Sequence, residues 1–366
     1  AVMPVGKDGR FTHPVDDYAG LQVFDANLQI IDDLKAVTRG EQAGAVTPGT
    51  ILLRRETYDH SYPHCWRCRE PLIYKGVSSW FVEVTAIKQR MLELNQQINW
   101  VPDHIQDGQF GRWLENARDW SITRNRFWGS PVPVWKSDDP AYPRLDVYGS
   151  FADIERDFGD LPRNHAGEPD LHRPFVDELV RPNPDDPTGK SMMRRVPDVL
   201  DVWFDSGSMS YAQVHYPFEN AEWFSGTDGP PGHFPADFIS EGLDQTRGWF
   251  YSLMAISTLL GRGPCYRNVI VNDMILDSEG QKMSKSKGNL VVPWDAIAEH
   301  GADAIRWYFI TSSNPWVPKR YDAEGVKEAA RKFFDTLLST YHFFRMYAQV
   351  EEWDRQIVNF NAQVGL

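Results

Sequence analysis

The feature that most constrains the fold of this chain is an apolar strand, helix and strand in succession. Phe234–Ser240 and Tyr266–Leu276 have the apolar runs that are typical of buried strands. Thr246–Leu260, between them, is long and apolar enough to form a buried helix. Because a helix that connects two such strands is typical of a parallel sheet, the sequence predicts an α/β fold.

The remaining residues divide into segments of different composition. Residues 136–197 are rich in Pro, Asp and Gly, which indicates an insertion outside the main core. Apolar spacing predicts helices at Asn27–Val37, Arg112–Arg126, Asp295–Ala298, Ala302–Ile310 and Ala323–Ala348, and a further buried strand at Val199–Phe204. The end of the chain is therefore expected to be helical.

The net charge limits how this chain can contact a polyanion. It has 38 basic and 51 acidic residues, a formal charge of −13. A chain this acidic does not attract nucleic acid through its overall field, so such contacts must come from local basic patches. Residues 112–126 (four basic, two acidic) and 319–332 (five basic, three acidic) each have a net charge of +2. Ordinary solvated helix faces remain the simpler explanation for any single residue there.

Cysteine content and hydropathy indicate a cytoplasmic location. Three cysteines are too few for a secreted disulfide framework, and they indicate a reducing compartment. The longest nearly apolar run, from Trp249 to Leu260, has 12 residues, whereas roughly 20 are needed to cross a bilayer. We therefore expect no membrane contact. The chain begins at Ala1 without an initiator methionine, and we expect it to be part of a longer protein.

A cationic loop, residues 282–288, follows the last predicted strand. It has three lysines in six positions, with serines between them and a glycine after them. Such a loop, called the lysine loop below, can bind phosphate oxygens through charge-assisted hydrogen bonds. A solvated charge run is the alternative for a lysine-rich loop considered alone.

A second candidate site is the turn between the first strand and its helix. The strand ends in Glu241 and Gly242, and glycine there lets a ligand approach the backbone closely. Asp244 is predicted to cap the helix, and Gln245 offers a donor and an acceptor. Carboxyl ends of parallel strands beside a helix start are where such sheets bind nucleotides. A capped core helix with incidental polar residues is the alternative.

Five segments together resemble the class I aminoacyl-tRNA synthetases. Lys-Met-Ser-Lys-Ser at 282–286 is their signature loop. The segments 201–207 and 241–250 resemble active-site segments of the isoleucyl branch, and 119–129 resembles a stretch shared by the isoleucyl, valyl and leucyl branches. Residues 11–32 resemble the end of that family's editing insertion. The valyl and leucyl branches carry different residues in the segments around Trp203 and Glu241, so the isoleucyl branch is favoured.

The resemblance implies an enzyme that joins L-isoleucine to tRNA(Ile) through an isoleucyl-adenylate, with ATP and Mg²⁺. Lys282 and Lys285 are then the catalytic residues that hold the phosphates. The residues that bind ATP or the adenylate are then Glu241, Gly242, Asp244, Gln245 and Lys285. Trp203 and Trp249 are implied to line the isoleucine pocket, although a tryptophan near a strand end is more often part of a core.

The resemblance also implies a division into domains. Residues 1–50 are then the C-terminal end of the editing insertion, and residues 51–118 are a connective segment that returns to the catalytic core. Residues 119–290, with 136–197 inserted, are the second half of a split Rossmann catalytic domain. Residues 291–366 start an α-helical tRNA-binding domain.

A possible metal site is the pair Cys65 and Cys68. Two thiolates at this spacing supply half of a tetrahedral Zn²⁺ site, and an empty pair of thiols is an equal alternative. The resemblance implies that the other ligands lie upstream of this chain. The family's downstream cysteine cluster has no counterpart at 135–139 or 181–184.

Two features of the family are missing from this sequence. It contains no His-x-Gly-His tetrapeptide, and the family places its editing aspartate just upstream of Ala1. We therefore expect the middle part of a larger enzyme. Two alternatives remain open: a valyl or leucyl enzyme, or a non-catalytic tRNA- or metal-binding module on the same fold, which the missing tetrapeptide favours.

Overall fold

The computed structural model describes residues 2–44, 46–225 and 233–350. The chain forms two compact units, Ala1–Ser79 and Trp80–Leu366. Within the described part, no helix is long and apolar enough to cross a membrane.

The first unit contains one long helix, α1 (Val23–Thr38), which includes the predicted helix at Asn27–Val37. The helix begins earlier than predicted because the Gln22 side chain accepts a hydrogen bond from Phe24 N at 2.6 Å. That bond satisfies an amide group of the first turn, which has no partner within the helix.

The second unit combines helices and strands. Its helices are α2 (Val84–Asn95), α3 (Gly111–Glu115), α4 (Phe151–Phe158), α5 (Val202–Gly207), α6 (Met209–Ala212), α7 (Ala221–Ser225), α8 (Trp249–Leu259), α9 (Pro293–His300), α10 (Ala302–Thr311), α11 (Ala323–Ala330) and α12 (Thr336–Val350). Its strands are β1 (Phe81–Val82), β2 (Asn99–Val101), β3 (Trp120–Ser121), β4 (Thr123–Arg124), β5 (Val134–Ser137), β6 (Leu145–Val147), β7 (Arg181–Pro182), β8 (Met192–Arg195), β9 (Val199–Leu200), β10 (Ala236–Gly242), β11 (Tyr266–Asn272), β12 (Ile275–Leu276) and β13 (Lys319–Arg320). This is the mixed α/β architecture that the sequence predicts.

The centre of the second unit is a parallel sheet in the order β10–β11–β2. Helix α8 connects β10 to β11, which confirms the predicted strand–helix–strand order. The prediction that the first strand is buried is wrong for most of β10, because Ile239 is the one buried residue of that strand. The helix is apolar on all sides, and Phe250, Leu253 and Met254 are buried. The Phe250 ring meets the ring of Trp100 edge-on, with centroids 5.9 Å apart. The strand ends are therefore anchored on a packed core.

A four-stranded antiparallel sheet of short strands, in the order β6–β5–β8–β7, lies between Val134 and Arg195 and so falls mainly within residues 136–197. It has its own buried cluster, which includes Trp135, Tyr148, Ile154 and Met193. This sheet is thus not part of the core around the parallel sheet, and its status as an insertion stays a prediction.

The strand predicted at Val199–Phe204 is wrong beyond Leu200, because a helix, α5, begins at Val202. The cause is Asp201, whose carboxylate accepts a hydrogen bond from Trp203 N at 2.9 Å. A carboxylate that accepts from an amide of the first turn is a helix cap, and it stops the extended conformation.

The helix predicted at Arg112–Arg126 is also wrong, because α3 ends at Glu115 and the short strands β3 and β4 follow. Asp119 lies between α3 and β3, directly before β3, and its carboxylate accepts hydrogen bonds from Thr85 N at 3.1 Å and from Thr85 Oγ1 at 2.7 Å. These bonds attach the segment to the start of α2, and a continuous helix would break them.

Candidate functional site

The carboxyl edge of the parallel sheet borders a cavity of about 130 Å³. Strands β2, β10 and β11 end there at Val101, Gly242 and Asn272, and such edges are where α/β sheets bind ligands. Residues from separate segments line it, including Pro102, His104, Leu243, Asp273 and Trp316. Sequence reasoning missed His104 and Trp316 because no local pattern places them beside the strand ends.

The turn after β10 is held together by its own side chains. Gln245 Oε1 accepts a hydrogen bond from Trp249 N at 2.9 Å, and Gln245 Nε2 donates to Asp244 Oδ2 at 3.1 Å. The prediction that Asp244 caps α8 is wrong, because a 3₁₀ turn intervenes and Gly248 is the N-cap, while Gln245 satisfies the amide of the first helical residue. A Cβ at position 242 would lie 2.7 Å from Asp244 Oδ1, so a larger residue there would displace the Asp244 side chain. Glu241 is exposed at the same edge.

The two tryptophans predicted to line an apolar pocket lie on the helices α5 and α8. Trp249 is half-buried, donates its indole N–H to Ser206 O at 3.1 Å and borders a cavity of about 120 Å³. Trp203 is 39% exposed. A Cβ at position 248 would approach the Trp203 ring to 2.7 Å, so Gly248 lets this ring pack at the start of α8. The structure brings both rings near this helix start, and their role as one pocket stays a prediction.

Asp201 is a buried carboxylate that sequence reasoning did not single out. It is 3% exposed, and it forms an ion pair with Arg124. It also accepts hydrogen bonds from Trp203 N at 2.9 Å and from Trp120 Nε1 at 3.3 Å. A carboxylate this buried needs such donors, and together they fix the start of the helix that carries Trp203.

We expect Asp201→Asn to destabilise the second unit by about 1–3 kcal/mol, because the half-exposed guanidinium of Arg124 loses its anionic partner and the carboxylate that caps α5 becomes a neutral amide. Urea denaturation followed by tryptophan fluorescence measures the change. Asp160→Asn is the matched control, since Asp160 pairs with Arg163 on the surface, where ion pairs contribute little. Equal denaturation midpoints for the two variants would contradict the role of Asp201.

The lysine loop presents its cationic groups to solvent. Leu276 forms a bridge with Lys282, and Lys285–Lys287 form one 3₁₀ turn that the Ser284 side chain caps. Lys282 and Lys285 are exposed, and in the described part of the chain neither ammonium group forms an ion pair. Ammonium groups without an acidic partner are suited to bind phosphate oxygens.

The two predicted basic patches are weaker in the folded chain. Arg124 is paired with the buried Asp201. Lys319 is 8% exposed, and its ammonium group donates to the carbonyl oxygens of Phe309 and Ser313 near the end of α10. Burial lowers the pKa of Lys319. Lys319 is therefore not available to a polyanion, and the charge of the half-exposed Arg124 is neutralised by Asp201.

The cysteine pair of the first unit lies in a tight turn. Cys65 N donates to Glu70 O at 2.8 Å, and Arg69 N donates to Cys65 O at 2.8 Å. Hydrogen bonds from the backbone amides of Cys68 and Arg67 lower the pKa of the Cys65 thiol, which favours the thiolate that binds metals. The described residues contain no group of three or more His, Cys, Asp or Glu that could hold a metal ion. The pair thus supplies two ligands only.

A comparison with protein families finds one that covers most of the chain. Residues 18–316 match the family described as tRNA synthetases class I (I, L, M and V). The match includes the parallel sheet, the turn after β10 and the lysine loop.

Three curated relatives are isoleucine–tRNA ligases. That of Mycobacterium tuberculosis (strain CDC 1551 / Oshkosh) is 54% identical over 96% of this chain and 32% of its own length. Those of Leifsonia xyli and Rickettsia africae are 54% and 52% identical over 99% of this chain and 31% of theirs. The chain thus spans about a third of the length of these relatives. Among solved structures, Mycobacterium tuberculosis methionyl-tRNA synthetase with methionyl-adenylate has a TM-score of 0.44 at 16% identity, over 74% of this chain and 40% of that one.

Proposed function

We infer the function from the fact that this chain belongs to the class I tRNA synthetases, and we propose that it acts within a longer enzyme that attaches L-isoleucine to tRNA(Ile). The observation that carries this proposal is the identity of 52–54% to isoleucine–tRNA ligases over nearly the whole chain. The same relatives favour isoleucine over valine or leucine as the substrate.

The proposed reaction has two steps. The carboxylate of isoleucine attacks the α-phosphorus of ATP, which gives isoleucyl-adenylate and pyrophosphate, and the acyl group then moves to the terminal ribose of the tRNA. No covalent enzyme intermediate is needed, so catalysis consists of positioning and charge stabilisation. Mg²⁺, when bound with ATP, neutralises part of the phosphate charge.

The geometry supports a role for each group of candidate residues. Lys282 and Lys285 are exposed and form no ion pair within the described residues, so they are suited to hold the phosphates. The turn after β10, with Glu241 and Gly242, lies at the sheet edge where an adenylate is expected to bind. Trp249 offers an apolar ring for the isoleucine side chain. Because Gln245 and Asp244 bond to each other, we assign them mainly to shaping this turn.

We further propose the domain roles that the family implies. Residues 1–50 end the editing insertion, residues 51–118 connect it to the core, and residues 119–290 are the second Rossmann half. Residues 291–366 begin the helical tRNA-binding domain, and helices α9 to α12 support this up to Val350. The positions after Val350 lie outside the described residues.

The proposed function is tested by ATP–pyrophosphate exchange with the full-length protein. We expect isoleucine to give the highest kcat/KM, ahead of valine by roughly 10–200-fold, since one methylene contributes only about 1–3 kcal/mol. The 366-residue chain alone should show no exchange because it lacks His-x-Gly-His. A preference for valine or leucine, or no exchange by the full-length protein, would refute the proposal.

We also propose that the full-length protein binds one Zn²⁺ through Cys65 and Cys68 and two further ligands. The turn geometry and the lowered pKa of the Cys65 thiol support this. Elemental analysis should give about one zinc per chain, and Cys65→Ser should lower this severalfold. Cys265→Ala, which removes a buried thiol of the second unit, is the control. A wild-type content below about 0.2 zinc per chain would contradict the proposal.

A further inference from the structure

The side chain of Asn289 bonds to both the start and the middle of the lysine loop. Asn289 Oδ1 accepts a hydrogen bond from Ser284 N at 2.9 Å. Asn289 Nδ2 donates to Lys282 O at 3.3 Å. Gly288, directly before it, has a φ of 70°, a left-handed conformation that glycine adopts without strain. The chain thereby turns back, and one amide spans the loop.

Asp277 lies before the loop and joins it to Asn289. Asp277 Oδ2 accepts a hydrogen bond from Asn289 Nδ2 at 2.7 Å. Its other oxygen, Oδ1, accepts from Gln281 N at 2.6 Å and from Glu279 N at 3.1 Å. One carboxylate therefore holds the turn that precedes the loop and the residue that follows it.

The hydrogen bonds of Asp277 indicate that its carboxylate shapes the backbone of the lysine loop and does not neutralise the lysines. Three lysines lie within ten residues of it, yet the hydrogen bonds described for its carboxylate come from amide groups. The amide donors, with that of Asn289 first, lower the pKa of Asp277, so it is ionised at neutral pH. A carboxylate held in this way fixes the backbone and leaves the ammonium groups free for a ligand.

We propose that Asp277 and Asn289 form a clasp that sets the shape of the lysine loop and thereby positions Lys282 and Lys285 on the phosphates of ATP. This rests on the proposed function, and it adds two positioning residues outside the five-residue signature. The clasp acts through the lysines, so its loss should lower kcat/KM for ATP more than it changes the KM for isoleucine.

The test is a reciprocal exchange in the full-length protein. Asn289→Asp places two carboxylates face to face, and Asp277→Asn places two amides face to face. We expect each single variant to lower kcat/KM for ATP by roughly 10–100-fold, as the loss of one or two hydrogen bonds with two like groups left facing each other implies, and to change KM for isoleucine less than threefold. The double variant restores an amide-to-carboxylate bond and should recover activity to within about fivefold of wild type.

Trypsin cleavage after Lys282 and Lys285 gives a readout that does not need activity. Cleavage should be faster in both single variants than in wild type and should slow again in the double variant. Asn164→Ala is the matched control, because Asn164 braces another exposed turn through Ala166 N at 2.9 Å. It should leave both readouts of the lysine loop unchanged.

The outcomes separate the clasp from the proposed function. A double variant no more active than the weaker single variant, or an Asn289→Asp enzyme within threefold of wild type, would overturn the clasp. Unchanged trypsin cleavage in both single variants would also overturn it. If wild type shows no isoleucine-dependent exchange, the proposed function fails, and the cleavage measurement still decides whether the clasp exists.

Discussion

A full-length enzyme with Lys285→Ala should form isoleucyl-adenylate roughly 10²–10³-fold more slowly than wild type, the effect of deleting one preorganised donor. Charge builds on the phosphates of ATP as the carboxylate attacks, and only groups that bind the transition state more tightly raise kcat. Lys285 is exposed and lies on a 3₁₀ turn that the Ser284 side chain caps, so its backbone position is defined before ATP binds. The loss should appear in kcat, measured by pyrophosphate exchange, and the KM for isoleucine should change far less.

Lys287→Ala is the matched control for this prediction. Lys287 is an exposed lysine of the same 3₁₀ turn and lies outside the five-residue signature. If the slower reaction came only from the loss of one positive charge, both variants would be slowed equally. If Lys285 makes a specific contact with the phosphates, only Lys285→Ala would be slowed. A Lys285→Ala enzyme within threefold of wild type would show that this ammonium group does not contact the transition state.

The sequence predicts the order of the elements in the core of the second unit because α8 is apolar and largely buried, although β10 is buried only at Ile239. The strand–helix–strand unit around α8 needs no tertiary information, since long apolar runs are stable only when they are buried. The lysine loop is identified by its residue pattern, and the structure adds the exposure of its ammonium groups and the hydrogen bonds of Asp277 and Asn289 around it.

The errors occur where one polar side chain decides the local conformation. Asp201 ends an apolar run that reads as a strand, because its carboxylate caps a helix and receives the guanidinium of Arg124. Gln245, and not Asp244, bonds to the first amide of α8 for a similar reason, since a 3₁₀ turn moves the helix start to Trp249. Neither effect is visible in hydropathy, because it depends on which amides lie within reach.

The residues that line the sheet edge could not be assembled from the sequence. His104 and Trp316 lie more than 200 residues apart and border the same cavity. Lys319, which reads as part of a basic surface, is buried because the carbonyl oxygens of Phe309 and Ser313 converge on it. Such groupings depend on how β12 and β13 pair, a long-range contact that no local pattern encodes.

Trp249 is the residue through which the enzyme is expected to recognise the isoleucine side chain. Its ring is half-buried, its indole N–H donates to Ser206 O at 3.1 Å, and its own amide is held by Gln245. The ring is therefore oriented before any ligand binds, and an apolar ligand gains contact without paying to order it. Trp203 lies against the same helix start, at Gly248.

Trp249→Ala should lower kcat/KM for isoleucine by about 30- to 1,000-fold, because removing a half-buried indole costs roughly 2–4 kcal/mol of apolar contact. The KM for ATP should stay within threefold, since the ring lies on the amino-acid side of the proposed site. Pyrophosphate exchange at varied isoleucine and varied ATP separates the two effects. Trp249→Phe should recover most of the activity, and Trp294→Ala, which removes a ring that is 75% exposed, should have no effect. If isoleucine kinetics hardly change in Trp249→Ala, the ring belongs to the protein core and isoleucine is recognised elsewhere.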